Sequence, residues 1–292
     1  MKLYIYSQPT IHNSAEEIAR IVEAMENSGV DYMINAEYAS SMAQNGLDIP
    51  AEHTYRELRA EDVATDAVML SVGGDGTFLD AVRRLGGLAV PILGVNMGRL
   101  GFLAHLFPHE LQGAFRELSA GNYTIQKRPL LKVSGSVTDD MAFPYAFNEL
   151  TLHRHEASMI DIEVWANGDL LAVYRGDGVI AATPTGSTAY SLSAGGPIVH
   201  PDCSAIVLTA LAPHNLSMRP VVMPDTTNLR FKVSTRGQQA VAFIDNMSLA
   251  VGDGAVVELA KADFEVFLVD FQNNSFFDTL RSKMKWGMDI IH

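Results

Sequence analysis

Six residues from Ala67 to Val72, all but one apolar, run straight into Gly73-Gly74-Asp75-Gly76-Thr77. A segment that is apolar on both faces has nothing to show to water, so it reads as a strand buried inside a parallel sheet. Parallel neighbours need crossover connections, usually helices, so this segment predicts alternating strands and helices around it. Leu3 to Tyr6 supplies another short apolar strand. Asn13-Ser14 offers a helix cap with Glu17 at capping-box spacing. Ile18, Ile21, Val22 and Met25 then mark one helix face, which Gly29 closes. Phe78 to Leu85 reads as helix, Ala89 to Val95 as a second buried strand, and Leu111, Phe115 and Leu118 as a further helix face.

The period changes to two near Gly121-Asn122. Ile160, Ile162 and Val164 alternate with polar or bulky neighbours ahead of Asn167-Gly168, a type I′ hairpin signal. Leu229, Phe231 and Val233 alternate likewise, followed beyond Arg236-Gly237 by Val241 and Phe243, and later by Phe264, Val266 and Leu268. The expectation is an α/β Rossmann-like domain with a parallel sheet over residues 1–122 and an all-β sandwich over 123–270. A tail over 271–292 is expected to pack back on the first domain.

Composition narrows the function classes. A chain of 292 residues with 48% hydrophobic content has material for two cores and is not a disordered segment. Its 21 basic and 34 acidic residues leave a net charge of −13, a field that repels nucleic acid and anionic membrane. No run approaches the roughly 20 apolar residues of a membrane helix, and no signal-peptide core follows Met1. Cys203 is the one cysteine, expected to be a small buried hydrophobe. His153 and His155 share a strand face without a third ligand at clear spacing, so no metal site is assigned. A cytoplasmic protein without nucleic-acid or membrane partners is expected.

Four segments carry chemistry. In Gly73-Gly74-Asp75-Gly76-Thr77 the glycines let the backbone approach an anion, and the helix that follows presents free N–H groups. The acid in its middle repels phosphate, so Asp75 has a chemical task such as accepting a proton or holding Mg²⁺. The G-x-G-x-x-G fingerprint and the Walker A lysine are both absent there. The second segment runs from Asp177-Gly178 through Thr183-Pro184-Thr185-Gly186-Ser187-Thr188-Ala189-Tyr190-Ser191-Leu192-Ser193-Ala194-Gly195-Gly196-Pro197. Its dense hydroxyls suit sugar hydroxyls, and its tyrosine suits a ring face. Asn148-Glu149 joins an amide to a carboxylate, and Gly94-Val95-Asn96-Met97-Gly98-Arg99-Leu100-Gly101-Phe102-Leu103 is a further glycine-rich strand end.

Taken together and in this order, these segments resemble the NAD kinase family. The GGDG loop alone also occurs in diacylglycerol-type lipid kinases and phosphofructokinases, whereas the run from Thr183 to Pro197 is specific. The resemblance implies ATP- and Mg²⁺-dependent phosphorylation of the adenosine 2′-hydroxyl of NAD, giving NADP. By the same resemblance Asp75 is the general base and Gly76 flanks it. Asn148 and Glu149 hold the adenosine portion, and Arg175 and Asp177 match binding positions. Thr188, Ala189, Tyr190 and Ser193 line the dinucleotide pocket, with Phe78 as a wall. Asp245 fits a family turn position, but Met247 stands where glutamine is common, with Asn246 as the substitute contact. The divalent ion is expected on the phosphates rather than in a protein cage, and a homodimer or homotetramer is implied. Arg281, Lys283 and Lys285 read mostly as solvated charge. Two other readings stay open on the residues alone: a lipid kinase sharing the loop, and a catalytically silent NADP(H) sensor.

Overall fold

The structure is a computed structural model and describes residues 1–8, 15–98, 101–271 and 275–287. From the N-terminus the chain forms β1 (Lys2–Tyr6), α1 (Ala15–Ser28), β2 (Asp31–Asn35), α2 (Ala36–Gln44), β3 (Thr54–Tyr55), β4 (Ala67–Gly73), α3 (Asp75–Leu85), β5 (Ile92–Asn96) and α4 (Leu111–Ala120). Strands then follow: β6 (Thr124–Gly135), β7 (Tyr145–Ala146), β8 (Glu149–Arg154), β9 (Ile160–Ala166), β10 (Asp169–Gly176) and β11 (Gly178–Ala182). A short helix, α5 (Tyr190–Ser193), precedes β12 (Ala205–Leu211), β13 (Val221–Pro224), β14 (Leu229–Ser234), β15 (Ala240–Ile244), β16 (Met247–Val251), β17 (Val256–Asp270) and α6 (Phe276–Met284). Two compact units result: Met1–Lys127 with Val266–His292, and Arg128–Glu265.

In the first unit β5, β4, β1, β2 and β3 lie side by side, every pairing parallel, and Leu268 of β17 pairs with Ile92 of β5. β4 is buried along its whole length, as a strand apolar on both faces must be. Ile18, Ile21 and Met25 of α1 and Leu111, Phe115 and Leu118 of α4 share one core cluster with β1, β4 and β5. The expected cap at Asn13-Ser14 lies outside the described residues, as do Arg99 and Leu100.

The second unit is a sandwich of antiparallel sheets. One runs β13-β12-β11-β8-β15-β16, and the other includes β10-β9-β14 with the first part of β17. Their inner faces meet in one cluster, with Leu150, Leu152, Val179 and Leu208 from the first and Ile162, Val164, Phe231 and Val257 from the second. Asn167 and Gly168 turn the β9–β10 hairpin at φ 51° and 91°, the left-handed pair that a type I′ turn requires. In β15 the inward residues are Ala240, Ala242 and Ile244, so Phe243 faces outward and Val241 is only half-buried. Both parities of that strand are apolar, so alternation could not choose the face. Cys203 is exposed, contrary to expectation. It sits at the open turn before β12, not within the strand.

Candidate functional site

In the first unit the strand order reverses between β1 and β4, since β2 and β3 lie beyond β1 while β5 lies beyond β4. In open parallel sheets ligands bind at the carboxyl ends of strands at such a reversal. Here those ends carry Ser7 and Gly73-Gly74-Asp75. Gly74 is the N-cap of α3 and supplies no side-chain acceptor, so the first amides of α3 remain available to an anion. Toward the same edge Ser7 Oγ, Ser71 Oγ, Thr77 Oγ1 and Asn96 Nδ2 are buried without a hydrogen-bond partner. Buried polar atoms are normally paired, so this group fits a ligand rich in donors and acceptors, such as a nucleoside polyphosphate.

Asp75 opens α3, and its carboxylate is gripped. Phe102 N–H donates to Oδ2 and Leu103 N–H to Oδ1, both at 3.1 Å. Gly101 makes this approach possible: a Cβ there would stand 2.1 Å from Oδ1. Lys283 of α6 places its ammonium 3.3 Å from Oδ2 and 4.3 Å from the centre of the Phe102 ring. Lys283, expected to be mostly solvated charge, is thus paired with Asp75, a partner that sequence alone could not name because it lies 208 residues away. Gly76 is exposed beside Asp75. Phe78 has 0% exposure, so it is packed inside the unit and offers no surface as a pocket wall.

In the second unit Asn148 and Glu149 open β8 next to the tight turn between β15 and β16. Ile244 pairs with Met247, leaving Asp245-Asn246 as a two-residue loop in which Asp245 takes φ 51°. From there its carboxylate accepts three backbone N–H bonds: Phe147 to Oδ2, and Asn148 and Glu149 to Oδ1, at 2.8, 2.8 and 3.0 Å. Its own N–H donates to Glu149 O at 3.0 Å. Burial raises the Asp245 carboxyl to about 6, opposed by those three amides. The Glu149 carboxyl is raised to about 8, chiefly by burial and then by the Asp245 charge, while the Tyr190 N–H acts the other way. Glu149 Oε2 is buried with no partner. A buried acid with one unsatisfied oxygen suits a ligand that brings hydroxyl or amino groups.

The hydroxyl-rich segment knits itself to this corner. Thr183 Oγ1 donates to Phe147 O at 2.7 Å, and Thr183 N–H donates to Asn148 O at 2.8 Å. Gly186 packs so closely that a Cβ would meet Asn148 O at 2.1 Å. Ser187 Oγ donates to Pro184 O and Thr188 Oγ1 to Thr185 O, while Ser191 Oγ pairs with Thr209 Oγ1. Most of these hydroxyls thus order the loop rather than face a ligand, and Thr183 and Gly186 are structural members that sequence reading left unassigned. Thr188 and Ala189 are half-buried, whereas Tyr190, Ser193 and Asn246 are exposed.

Arg175 and Asp177 do not join this corner within the chain. β11 and β8 pair with Ala182 opposite Glu149 and Gly178 opposite His153. Asp177 therefore sits beyond the far end of β11, a separation of roughly 17 Å at about 3.4 Å per residue. There it is paired with Arg154, Nε to Oδ1 2.6 Å, and Arg175 forms a two-pronged pair with Asp161 at 2.6 and 3.0 Å. Among the described residues no group of three or more His, Cys, Asp or Glu could hold a metal ion. No helix among them is long and apolar enough to cross a membrane.

Comparison with known proteins gives one answer for both units. Residues 7–123 match the model of the ATP-NAD kinase N-terminal domain, and residues 147–271 match that of the C-terminal domain. The chain is 37% identical over 291 residues to an NAD kinase of Bacteroides fragilis, covering 99% of each. It is 33% identical over 289 residues to the NAD kinase of Cytophaga hutchinsonii, covering 98% of each. Among solved structures it is similar to yeast NADH kinase complexed with NADH, with TM-score 0.84, 25% identity, and coverage of 99% of this chain and 88% of that one. It is also similar to an NAD kinase from Archaeoglobus fulgidus in complex with ATP, with TM-score 0.74, 25% identity, and coverage of 98% and 99%. The parallel α/β unit, the β-sandwich unit and these full-length similarities agree: the chain belongs to the NAD kinase family.

Proposed function

We propose that this protein transfers the terminal phosphoryl group of ATP to the 2′-hydroxyl of the adenosine ribose of NAD, giving NADP and ADP. The observation that carries the reading is the Asp75 carboxylate, fixed by two backbone amides at the first turn of α3. A base that must meet one hydroxyl needs a fixed direction. The ribose oxygen bonds to the γ-phosphorus as the bridging bond to the β-phosphate breaks, and ADP leaves with that electron pair. Asp75 takes the hydroxyl proton late, as the loose transition state draws the oxygen in.

The triphosphate is assigned to the Gly73–Gly76 loop and the open amides of α3, with the unmet groups of Ser7, Ser71, Thr77 and Asn96 toward the nucleotide. Mg²⁺, which keeps most of its water, would be carried by the phosphates and neutralise charge there. From the second unit Asn148, Glu149, Tyr190, Thr188, Ala189, Ser193, Asp245 and Asn246 are assigned to the adenosine half, which NAD and NADH share. Within that set Asp245 acts by holding the amides of residues 147–149. Arg175, on β10, and Asp177, just before β11, lie at the far end of β11 from this set. They are assigned to a ligand held by a second copy, in a cytoplasmic homodimer or homotetramer. The exposed Leu170, Leu171 and Val173 of β10 support an interface on that strand.

The test is 2′-deoxy-NAD with ATP and Mg²⁺. The analogue should bind, inhibit NAD turnover competitively and gain no phosphate by mass. A phosphorylated analogue means another hydroxyl is the acceptor, and failure of both NAD and analogue to bind means another substrate.

A further inference from the structure

An acid inside a phosphate-binding loop is an electrostatic liability, because the carboxylate repels the triphosphate that the loop must hold. Lys283 answers that liability. Its ammonium lies 3.3 Å from Asp75 Oδ2, on the oxygen that also takes the Phe102 amide, and rests on the Phe102 ring at 4.3 Å. Both partners are only about one-third exposed, 31% for Lys283 and 33% for Asp75, so the pair is shielded from much of the solvent screening. The cations of α3 itself are committed elsewhere. Arg83 pairs with Asp80 at 2.8 Å, while Arg84 pairs with Glu37 at 2.9 Å and lies over the Tyr6 ring. The helix that carries Lys283 is fixed at its start by a capping box between Ser275 and Asp278 and buries Thr279 and Leu280. The ammonium is therefore delivered by a docked element.

We propose that Lys283 is a positioning residue that acts through Asp75: it supplies the counter-charge that allows a carboxylate to occupy the triphosphate loop. This rests on the reading of ATP as donor and adds a functional role for the C-terminal helix. The expected signature is conditional. Lys283→Met weakens ATP binding while the Asp75 carboxylate is in place, and has no such effect once it is gone.

The experiment measures ATP affinity by calorimetry, without NAD, for the full chain and for Lys283→Met, Asp75→Asn and the double variant. Lys283→Met should weaken ATP about tenfold in the parent and less than twofold in the Asp75→Asn background, with the melting temperature unchanged. Lys283→Arg should recover most of the loss, and Lys285→Met, which removes the same charge two residues on, should bind ATP as the parent does. Equal weakening with and without the Asp75 carboxylate overturns the proposal, since Lys283 would then act on ATP directly or on folding. Unweakened binding in Lys283→Met overturns it too. A parent that binds ATP but forms no NADP overturns the reaction assigned above and leaves this signature to be read in binding alone. A parent that binds no ATP overturns both.

Discussion

Asp75 and Glu149 are both acids, yet their surroundings ask different things of them. Asp75 is held in place by two backbone amides and has the Lys283 ammonium beside it. Asp75→Asn keeps the size but removes the proposed base, and its NH2 can replace neither acceptor oxygen, so one of the two backbone amides loses its partner. Steady-state kinetics should show turnover lower by roughly 10²–10⁴ with the Michaelis constant for NAD nearly unchanged. Near-parental turnover would take Asp75 out of its role. Glu149 is buried instead, and its carboxyl is raised from 4.5 to about 8 by burial and by Asp245. Between those values the folded protein binds more protons than the unfolded chain, so this group's contribution to stability falls as pH rises and reaches its full penalty above about 8. Glu149→Gln cannot ionise. Thermal unfolding of the ligand-free protein should show the variant gaining several degrees relative to the parent at pH 8.5, and little at pH 4.5. An identical difference at both values would mean that the fold does not raise the Glu149 carboxyl. Neither environment was legible from sequence, because Lys283, Phe102 and Asp245 reach these acids through the fold and not along the chain.

At the scale of elements, the sequence was most legible where one period dominated. The apolar run into Gly73 gave β4, the spacing of Leu111, Phe115 and Leu118 gave the buried face of α4, and Asn167-Gly168 gave a hairpin. It was least legible where neighbours in sequence separate in space. Arg175 and Asp177 stand just before the hydroxyl-rich segment, but β11 carries the chain away from them before Thr183 begins. The density of hydroxyls was also ambiguous, since a loop can spend them on itself as readily as on a sugar. Gly101 is the sharpest test of how the strand-end loop serves the site. Gly101→Ala places a methyl 2.1 Å from Asp75 Oδ1, so either the loop or the carboxylate must move. Overpacking of this kind costs about 1–3 kcal/mol, and a base displaced by about 1 Å can lose roughly a hundredfold in rate. Kinetics and a melting curve on the same sample should show a large loss of turnover with a modest loss of stability. Parental turnover would mean that the carboxylate tolerates displacement.

On the scale of the whole molecule, the first unit is assembled from both ends of the chain, Met1–Lys127 and Val266–His292, with Arg128–Glu265 between. Without the second piece β5 loses the neighbour that pairs Leu268 with Ile92 and becomes an open apolar edge. Met1–Lys127 expressed alone should aggregate, while the same piece joined by a flexible linker to Val266–His292 should elute from size exclusion as a soluble species. A monodisperse Met1–Lys127 would show that the returning strand is dispensable. Composition and period pointed to two kinds of domain and to a returning tail over 271–292, but put Val266 and Leu268 in the sandwich, because they alternate like any other sandwich strand. The return also sets a clock on synthesis. A ribosome adding about 5–20 residues per second needs roughly 7–30 s after Lys127 before Val266 is made, and longer before Lys283 leaves the exit tunnel. Until then the nascent chain holds its phosphate loop without the cation that lies beside Asp75, so competence for phosphoryl transfer would wait for α6 to emerge and dock.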